Sequence, residues 1–265
     1  MKETAFAKIN LALHVRQRRE DGYHALETLF AFIDAGDELS AQAAGRDSLS
    51  VRGEFAAALD DPFGNIVALA LSALPHGAGW AVELEKNLPV AAGLGGGSAD
   101  AGAIFRMVAR EHGLPDDWQQ RAARLGADVP ACVASQTCIG RGTGTELEAA
   151  DNDLSGMPVL LVNPRLPLST GPVFKGWDGV DRGELPGGRA LDIALAGRND
   201  LEASAIALCP PIADVLAALQ ATDPVLTRMS GSGATCFALY EDDAGLQRAA
   251  GMMRADWWQL SGHLR

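Results

Sequence analysis

The decisive stretch of this sequence runs Leu88-Pro89-Val90-Ala91-Ala92-Gly93-Leu94-Gly95-Gly96-Gly97-Ser98-Ala99-Asp100. Apolar residues then recur at three- and four-residue spacing, so the stretch predicts a glycine loop that leads directly into a helix. Glycine allows a positive φ and a close approach of ligand to backbone, and the first amides of a helix have no partner within it. Such a loop is typical of a phosphate-binding site at a helix N-terminus.

The sequence on either side of this loop favours a nucleotide site. Trp80–Lys86 alternates apolar and polar residues, which predicts a half-buried strand with Lys86 on its apolar face. Ser98 is the expected N-cap of the helix, and Gly113 and Pro115 are its expected end. A Walker A loop is excluded because no lysine follows the last glycine, and the glycine spacing excludes a Rossmann fingerprint. A glycine-rich hairpin that binds nothing is the alternative on these residues alone.

The composition limits the classes of protein to consider. The chain has 265 residues, 48% of them hydrophobic, which predicts a globular protein with a sizeable core. We find no run of eighteen apolar residues and no secretory signal, so we expect a cytoplasmic protein without membrane contact. The net charge of -12 argues against a nucleic acid partner. A nucleotide stays possible, since exposed charges are screened over about 8 Å.

Strands and helices mix without a strict alternating order, which predicts the α+β class. The expected strands are Thr4–Val15, Thr28–Ile33, Trp80–Lys86, Pro158–Asn163, Val225–Met229 and Ala234–Tyr240. The expected helices include Ile66–Leu74, Trp118–Leu125 and Ala244–Arg254. The four cysteines lie among apolar or small residues without metal-binding spacing, so we expect free, mostly buried thiols at Cys132, Cys138, Cys209 and Cys236.

Two charged residues stand in apolar surroundings. Asp128 lies within Gly126–Pro130, where it is either the N-cap of a helix that begins near Val129 or a catalytic carboxylate. Lys8 interrupts the first strand on the same face as Asn10. It is either a functional cation or a lysine that reaches solvent from the edge of a sheet.

Two turn-forming segments are further candidates for ligand contact. Asp21-Gly22 predicts a turn that displays Tyr23 and His24. Gly231-Ser232-Gly233 lies between two expected strands, so it is either a hairpin turn or a loop that touches a ligand.

Together these segments resemble the GHMP kinase superfamily, which is named for galactokinase, homoserine kinase, mevalonate kinase and phosphomevalonate kinase. Pro89–Ala99 is similar to the family pattern P-x-x-x-G-L-G-S/G-S-S/A. Four further segments resemble the members that phosphorylate a cytidine diphosphate ester of methylerythritol: Ala7–Leu11, Asp21–His24, Leu125–Pro130 and Gly231–Ala234. The resemblance implies a two-lobed fold with mixed sheets and flanking helices, an N-terminal domain of residues 1–156 and a C-terminal domain of residues 157–265.

The resemblance implies transfer of the γ-phosphoryl group of ATP to the 2-hydroxyl of that ester, in the non-mevalonate route to isoprenoid precursors. By the same resemblance, Asp128 is the base and Lys8 its neighbour. Mg²⁺ is expected, held by ATP, water and Ser98. The expected partner is the small-molecule substrate, with no nucleic acid and no membrane, and the expected state is a monomer or weak homodimer.

The resemblance also implies the binding residues. On the nucleotide side they are Asn65, Lys86, Pro89, Gly93, Leu94, Gly95, Gly96, Gly97 and Ser98. On the substrate side they are Asn10, Tyr23, His24, Thr170, Phe174, Gly231, Ser232 and Gly233, with His24 near the cytosine and Phe174 stacked on it.

The chain departs from the family at Gly102, where members often have alanine, and this glycine is expected to loosen the helix by up to about 1 kcal/mol. Two rival functions follow from the same residues. One is a GHMP kinase acting on mevalonate or homoserine, and the other is a ligand-binding relative without catalysis.

Overall fold

The computed structural model describes residues 1–59 and 65–265, and the structural statements below refer to these residues. The strands are β1 (Lys2–Arg18), β2 (His24–Ala44), β3 (Ser48–Arg52), β4 (Gly79–Glu85), β5 (Cys138–Arg141), β6 (Glu146–Ala149), β7 (Pro158–Asn163), β8 (Leu226–Met229), β9 (Cys236–Leu239) and β10 (Trp258–His263). The helices are α1 (Ile66–Ala73), α2 (Gly96–His112), α3 (Trp118–Leu125), α4 (Val129–Ala134), α5 (Thr170–Lys175), α6 (Ala190–Ala196), α7 (Glu202–Leu208), α8 (Pro211–Gln220) and α9 (Asp243–Met252).

Sequence periodicity located the longer elements well. The bounds of α3 and β7 are those predicted, while β1 and β2 extend beyond the predicted strands. Sequence analysis missed several short elements, namely β5, β6, α5, α6, α7 and β10. Each of these has at most seven residues, so a hydrophobic period hardly repeats, and none has as continuous an apolar run as β7.

The strands form two sheets of different character. The first has the order β3-β4-β2-β5-β6, with β1 paired to β2. It is mixed, because β3 runs parallel to β4 whereas β2 is antiparallel to β4. The second sheet has the order β10-β7-β9-β8 and is antiparallel throughout. The α+β class is therefore confirmed, although only one of the two sheets is mixed.

The first compact unit contains residues 1–8, 35–90 and 95–135, without the undescribed residues 60–64. In it α2 packs against α1, α3 and α4. A Cβ atom on Gly102 would lie 2.6 Å from the carbonyl carbon of Cys132, which is closer than real contacts allow. Gly102 therefore permits the close approach of α4 to α2, a role that the expected loosening of the helix did not anticipate.

The second compact unit contains residues 9–34, 91–94 and 136–265. Its core lies between the antiparallel sheet and helices α8 and α9, with buried residues such as Leu160, Val162, Ile212, Val215 and Leu246. Both units combine separate chain segments, and the predicted boundary at residue 156 stays a prediction. The four cysteines are free and buried, as predicted.

Candidate active site

The glycine loop does lead directly into a helix. Gly95 is the N-cap of α2 with φ of 61°, a left-handed conformation that glycine adopts without strain. The predicted N-cap, Ser98, is instead the third residue of the helix, so that prediction was wrong. The amide of Ala99 donates to the Gly95 carbonyl at 2.8 Å. The amides of Gly96, Gly97 and Ser98 precede this first helical bond and have no acceptor within the helix.

Lys8 and Asp128 form an ion pair in the first unit, with 3.0 Å between Lys8 Nζ and Asp128 Oδ2. Asp128 occupies the N-cap position of α4, yet its side chain makes no capping hydrogen bond. Lys8 is buried, whereas the Asp128 side chain is 31% exposed. Asp128 therefore does not cap the helix, and Lys8 does not reach solvent. The two form an ion pair whose carboxylate is still accessible to a ligand.

The Lys8–Asp128 pair lies directly against the glycine loop. A Cβ atom on Gly95 would lie 2.9 Å from Lys8 Cε and 3.5 Å from Asp128 Oδ2. The Ser98 hydroxyl is close by, since a Cβ atom on Gly126 would lie 3.6 Å from it. Unpaired helix amides, a cation, a carboxylate and a hydroxyl thus come together within one unit. This combination suits phosphoryl transfer, which needs positioning and charge stabilisation above all.

Lys86 lies on the buried face of its segment, as predicted, but its ammonium group is enclosed. Nζ contacts Asp37 Oδ2 at 2.5 Å and Asp100 Oδ2 at 2.7 Å. Burial alone would lower the pKa of Lys86, but the charges and hydrogen bonds of both aspartates outweigh burial and raise it. We call Asp37, Lys86 and Asp100 the Lys86 cluster. A Cβ atom on Gly96 would lie 3.1 Å from Lys86 Nζ, so the cluster supports the start of α2.

The remaining nucleotide-side candidates contribute mainly to local structure. Asn65 is the N-cap of α1, where its side chain accepts a hydrogen bond from the Val67 amide at 2.9 Å. The side chains of Pro89 and Leu94 are buried. Sequence reasoning named these positions from the family resemblance. It overlooked a signal at Asn65, because asparagine directly before a predicted helix is a favoured N-cap.

In the second unit, Gly93 packs against the other glycine cluster. The Ser230 hydroxyl donates to the Gly93 carbonyl at 2.9 Å, and a Cβ atom on Gly93 would overlap the Ser230 carbonyl oxygen. Gly231, Ser232 and Gly233 lie in the connection between the antiparallel strands β8 and β9. The cluster is therefore a turn, and its contact with a ligand stays a prediction.

Asn10 is also held within the second unit. Its Nδ2 donates to Thr28 Oγ1 at 2.7 Å, and its backbone amide donates to Ser230 Oγ at 3.1 Å. A Cβ atom on Gly231 would lie 3.1 Å from Asn10 Oδ1. These contacts fix the orientation of the amide oxygen beside the β8–β9 turn.

An aromatic pocket of about 690 Å³ lies in the second unit. Four predicted substrate residues line it: Tyr23, His24, Thr170 and Phe174. Its other lining residues are Arg18, Gly22, Leu26, Thr143, Gly171 and Lys175, of which sequence analysis singled out none as a contact. For Arg18 a signal existed, because alternation along a longer first strand would have placed it on the face of Asn10.

His24 is the central polar group of the aromatic pocket. Its ring centroid lies 5.1 Å from that of Phe174 and 5.8 Å from that of Trp177. Its Nε2 is buried and has no hydrogen-bond partner among the described residues. Burial and the nearby charge of Arg18 lower the pKa of His24 below its ordinary value, which favours the neutral ring. Tyr23, by contrast, is 66% exposed.

Within residues 1–59 and 65–265, no cluster of three or more His, Cys, Asp or Glu residues is suited to a metal ion. Over the same residues, no helix has the length and apolar character that crossing a bilayer requires.

Comparison with known proteins gives a consistent result. Residues 63–136 match the GHMP kinases N terminal domain, and residues 188–257 match the family described as GHMP kinases C terminal. The chain is 71% identical to a 4-diphosphocytidyl-2-C-methyl-D-erythritol kinase of Novosphingobium aromaticivorans, over 100% of this chain and 93% of that protein. It is 63% identical to the enzyme of that name from Erythrobacter litoralis, over 99% of both proteins.

Solved structures agree with these relatives. A crystal structure of 4-(cytidine 5'-diphospho)-2C-methyl-D-erythritol kinase superposes with a TM-score of 0.80 and 31% identity, over 100% of this chain and 99% of that chain. The expected GHMP kinase fold is therefore confirmed. The chain belongs to the 4-diphosphocytidyl-2-C-methyl-D-erythritol kinase family of the GHMP kinase superfamily, a family of ATP-dependent enzymes of isoprenoid biosynthesis.

Proposed function

We propose that the chain transfers the γ-phosphoryl group of ATP to the 2-hydroxyl of 4-diphosphocytidyl-2-C-methyl-D-erythritol, giving the 2-phosphate and ADP. The observation that carries this proposal is the Lys8–Asp128 pair, 3.0 Å apart, with Gly95 of the glycine loop against it. The membership of the chain in the kinase family supports the same reaction.

Asp128 is the proposed general base. Its carboxylate is partly exposed and is not used as a helix cap, so it can accept the proton of the 2-hydroxyl as the bond to phosphorus forms. Lys8 orients this carboxylate and balances the charge that spreads over the phosphoryl oxygens.

The start of α2 is the proposed triphosphate site. The amides of Gly95, Gly96, Gly97 and Ser98 would donate to phosphate oxygens, with the positive end of the helix dipole beside them. Pro89, Gly93 and Leu94 shape the loop, and Asn65 is a further nucleotide contact. Lys86 acts through the helix start, because its ammonium group is bonded to Asp37 and Asp100.

The aromatic pocket is the proposed site for the cytosine. A partly enclosed cavity with aromatic walls suits a stacked base, and the unpaired Nε2 of His24 is a polar group still to be satisfied. We propose that Phe174 and Tyr23 stack on the base and that His24 bonds to its edge. Thr170, whose hydroxyl lies 3.1 Å from that of Ser232, would bind the rest of the substrate together with Asn10, Gly231 and Gly233.

Mg²⁺ is the proposed metal. The Ser98 hydroxyl, which lies near Gly126, and the partly exposed Asp128 carboxylate are the hard oxygen donors that this ion prefers, so the residues present fit it. When bound, Mg²⁺ supplies positive charge that neutralises the phosphates and the developing negative charge. A monomer or weak homodimer in the cytoplasm, without nucleic acid or membrane contact, stays a prediction. Light scattering of the purified chain tests its oligomeric state.

The test is an ADP-release assay with three acceptors offered separately: the cytidine diphosphate ester, mevalonate and homoserine. We expect turnover with the ester alone. Release of ADP with mevalonate or homoserine, and none with the ester, would reject the proposal. Binding of the ester without ADP release would instead support a relative that has lost catalysis.

A further inference from the structure

Arg18, the last residue of β1, lies at the wall of the aromatic pocket. Its Nη2 donates hydrogen bonds to the backbone carbonyls of Trp177 and Lys175, the second at 3.3 Å. Its guanidinium carbon also lies 5.6 Å from the centroid of the Trp177 ring. One side chain thus connects the end of β1 to the segment around the end of α5.

The segment that Arg18 holds carries the aromatic rings around His24. Trp177 is buried and meets the His24 ring edge to face, with 81° between the planes. Phe174 meets the same ring at 44°. The position of the 174–177 segment therefore fixes two of the surfaces that orient His24.

We propose that Arg18 is a positioning residue of the aromatic pocket, which holds the 174–177 segment against His24 and so shapes the surface that selects a pyrimidine. The proposal rests on the proposed function, because it takes the cytosine of the substrate as the occupant of the pocket.

Charge supports the same role. Arg18 and Lys175 are the cations that line the pocket. Besides these two and His24, Tyr23 is the other titratable lining residue, and no carboxylate is among the described lining residues. A neutral imidazole has one donor and one acceptor nitrogen, whereas an imidazolium only donates. The edge of cytosine offers both donors and acceptors, so a neutral His24 can pair with it in either sense.

The experiment compares the unsubstituted chain with Arg18→Gln and Arg18→Lys. The matched control is Arg254→Gln, because Arg254 also lies over a tryptophan, Trp257 at 5.2 Å, but is not among the residues that line the pocket. For each protein, kcat and KM are measured for ATP and for the cytidine ester from acid to neutral pH. The titration of His24 is followed by NMR in the same proteins.

We expect Arg18→Gln to raise KM for the ester by about tenfold, as the loss of one or two hydrogen bonds to a charged group predicts, with kcat and KM for ATP within about twofold. Removal of a nearby positive charge favours protonation, so His24 should titrate at a higher pH and the acid limb of kcat/KM should move with it. Arg18→Lys should restore the His24 titration and only part of the KM.

An unchanged KM for the ester and an unchanged His24 titration in Arg18→Gln would overturn the proposal. An equal KM effect in Arg254→Gln would also overturn it, because the effect would then not be specific to the pocket. If the unsubstituted chain does not phosphorylate the ester, the proposed function fails. The His24 titration would then still decide whether Arg18 acts on His24.

Discussion

The proposed phosphate site at the start of α2 and the proposed cytosine site in the aromatic pocket offer different groups to a ligand. At the helix start the groups are backbone amides and a buried lysine, and Lys8 is only 3% exposed. In the pocket they are aromatic and cationic side chains, and Tyr23 is 66% exposed. Backbone amides bind any phosphate, whereas side chains read one particular base. On the proposed function, the start of α2 would therefore determine the chemistry, and the aromatic pocket the choice of substrate.

The largest expected effect tests the chemistry of the first region. Asp128→Asn keeps the shape of the side chain but removes the base, so kcat should fall by about 10²- to 10⁴-fold with KM for ATP nearly unchanged. Steady-state kinetics measures both constants. Asp117→Asn is the control, since Asp117 also occupies an N-cap position, that of α3, and binds only Arg121 among the contacts described. A variant Asp128→Asn with full kcat would show that the base is another group.

The next effect tests whether activity depends on the close approach of the loop backbone to the Lys8–Asp128 pair. Gly95→Ala introduces a Cβ atom 2.9 Å from Lys8 Cε at a φ of 61°, so kcat/KM should fall by about 10- to 100-fold. Gly113→Ala has a φ of 76° but nothing within 4 Å of the new Cβ atom. Both variants should lose about 1–3 kcal/mol of unfolding free energy, because each glycine has a positive φ. Equal activity in the two variants would mean that crowding of the pair is unimportant.

The third effect belongs to the second region. His24→Ala removes the polar group of the pocket, so KM for the cytidine ester should rise by about tenfold while kcat changes less. His76→Ala is the control, because His76 belongs to the first unit and its ring lies 5.5 Å from that of Trp80. A fall in kcat alone would break the division between chemistry and substrate choice.

The smallest expected effect concerns stability and the Lys86 cluster. Burial raises the pKa of Asp100 to about 8, against the opposing charge of Lys86. Between about pH 4 and 8 the folded chain therefore holds this proton more tightly than the unfolded chain, whose ordinary value is 3.8. The contribution of Asp100 to the free energy of unfolding is therefore largest at the acid end of this range and is lost as the pH rises through 8.

Asp100→Asn replaces the carboxyl group with an amide that does not titrate in this range. The melting temperature of the variant relative to the unsubstituted chain should therefore increase from the acid to the alkaline end of the range. Thermal unfolding at several pH values measures this difference. Asp242→Asn is the control, because Asp242 caps α9 at the surface and asparagine caps equally well. A difference that does not vary with pH would contradict a raised pKa at Asp100.

Much of this protein could be predicted from sequence because its motifs are local. The glycine loop, the helix after it and Lys86 on a buried strand face follow from periodicity and from the conformational freedom of glycine. From sequence, the role of Asp128 could be narrowed to a helix cap or a catalytic carboxylate. The cap could be rejected only once the structure showed where the side chain lies. Ser98 was placed as N-cap because serine favours that position, whereas the left-handed Gly95 takes it.

The sequence by itself determined the glycine loop that leads into α2, the α+β class and the resemblance to GHMP kinases, since each depends on residues that are neighbours along the chain. Only the tertiary structure decided that Lys8 pairs with Asp128, that Lys86 is bonded to Asp37 and Asp100, and that Arg18 meets Trp177. These contacts join residues far apart in sequence, and their strength depends on burial, which packing sets and periodicity does not encode.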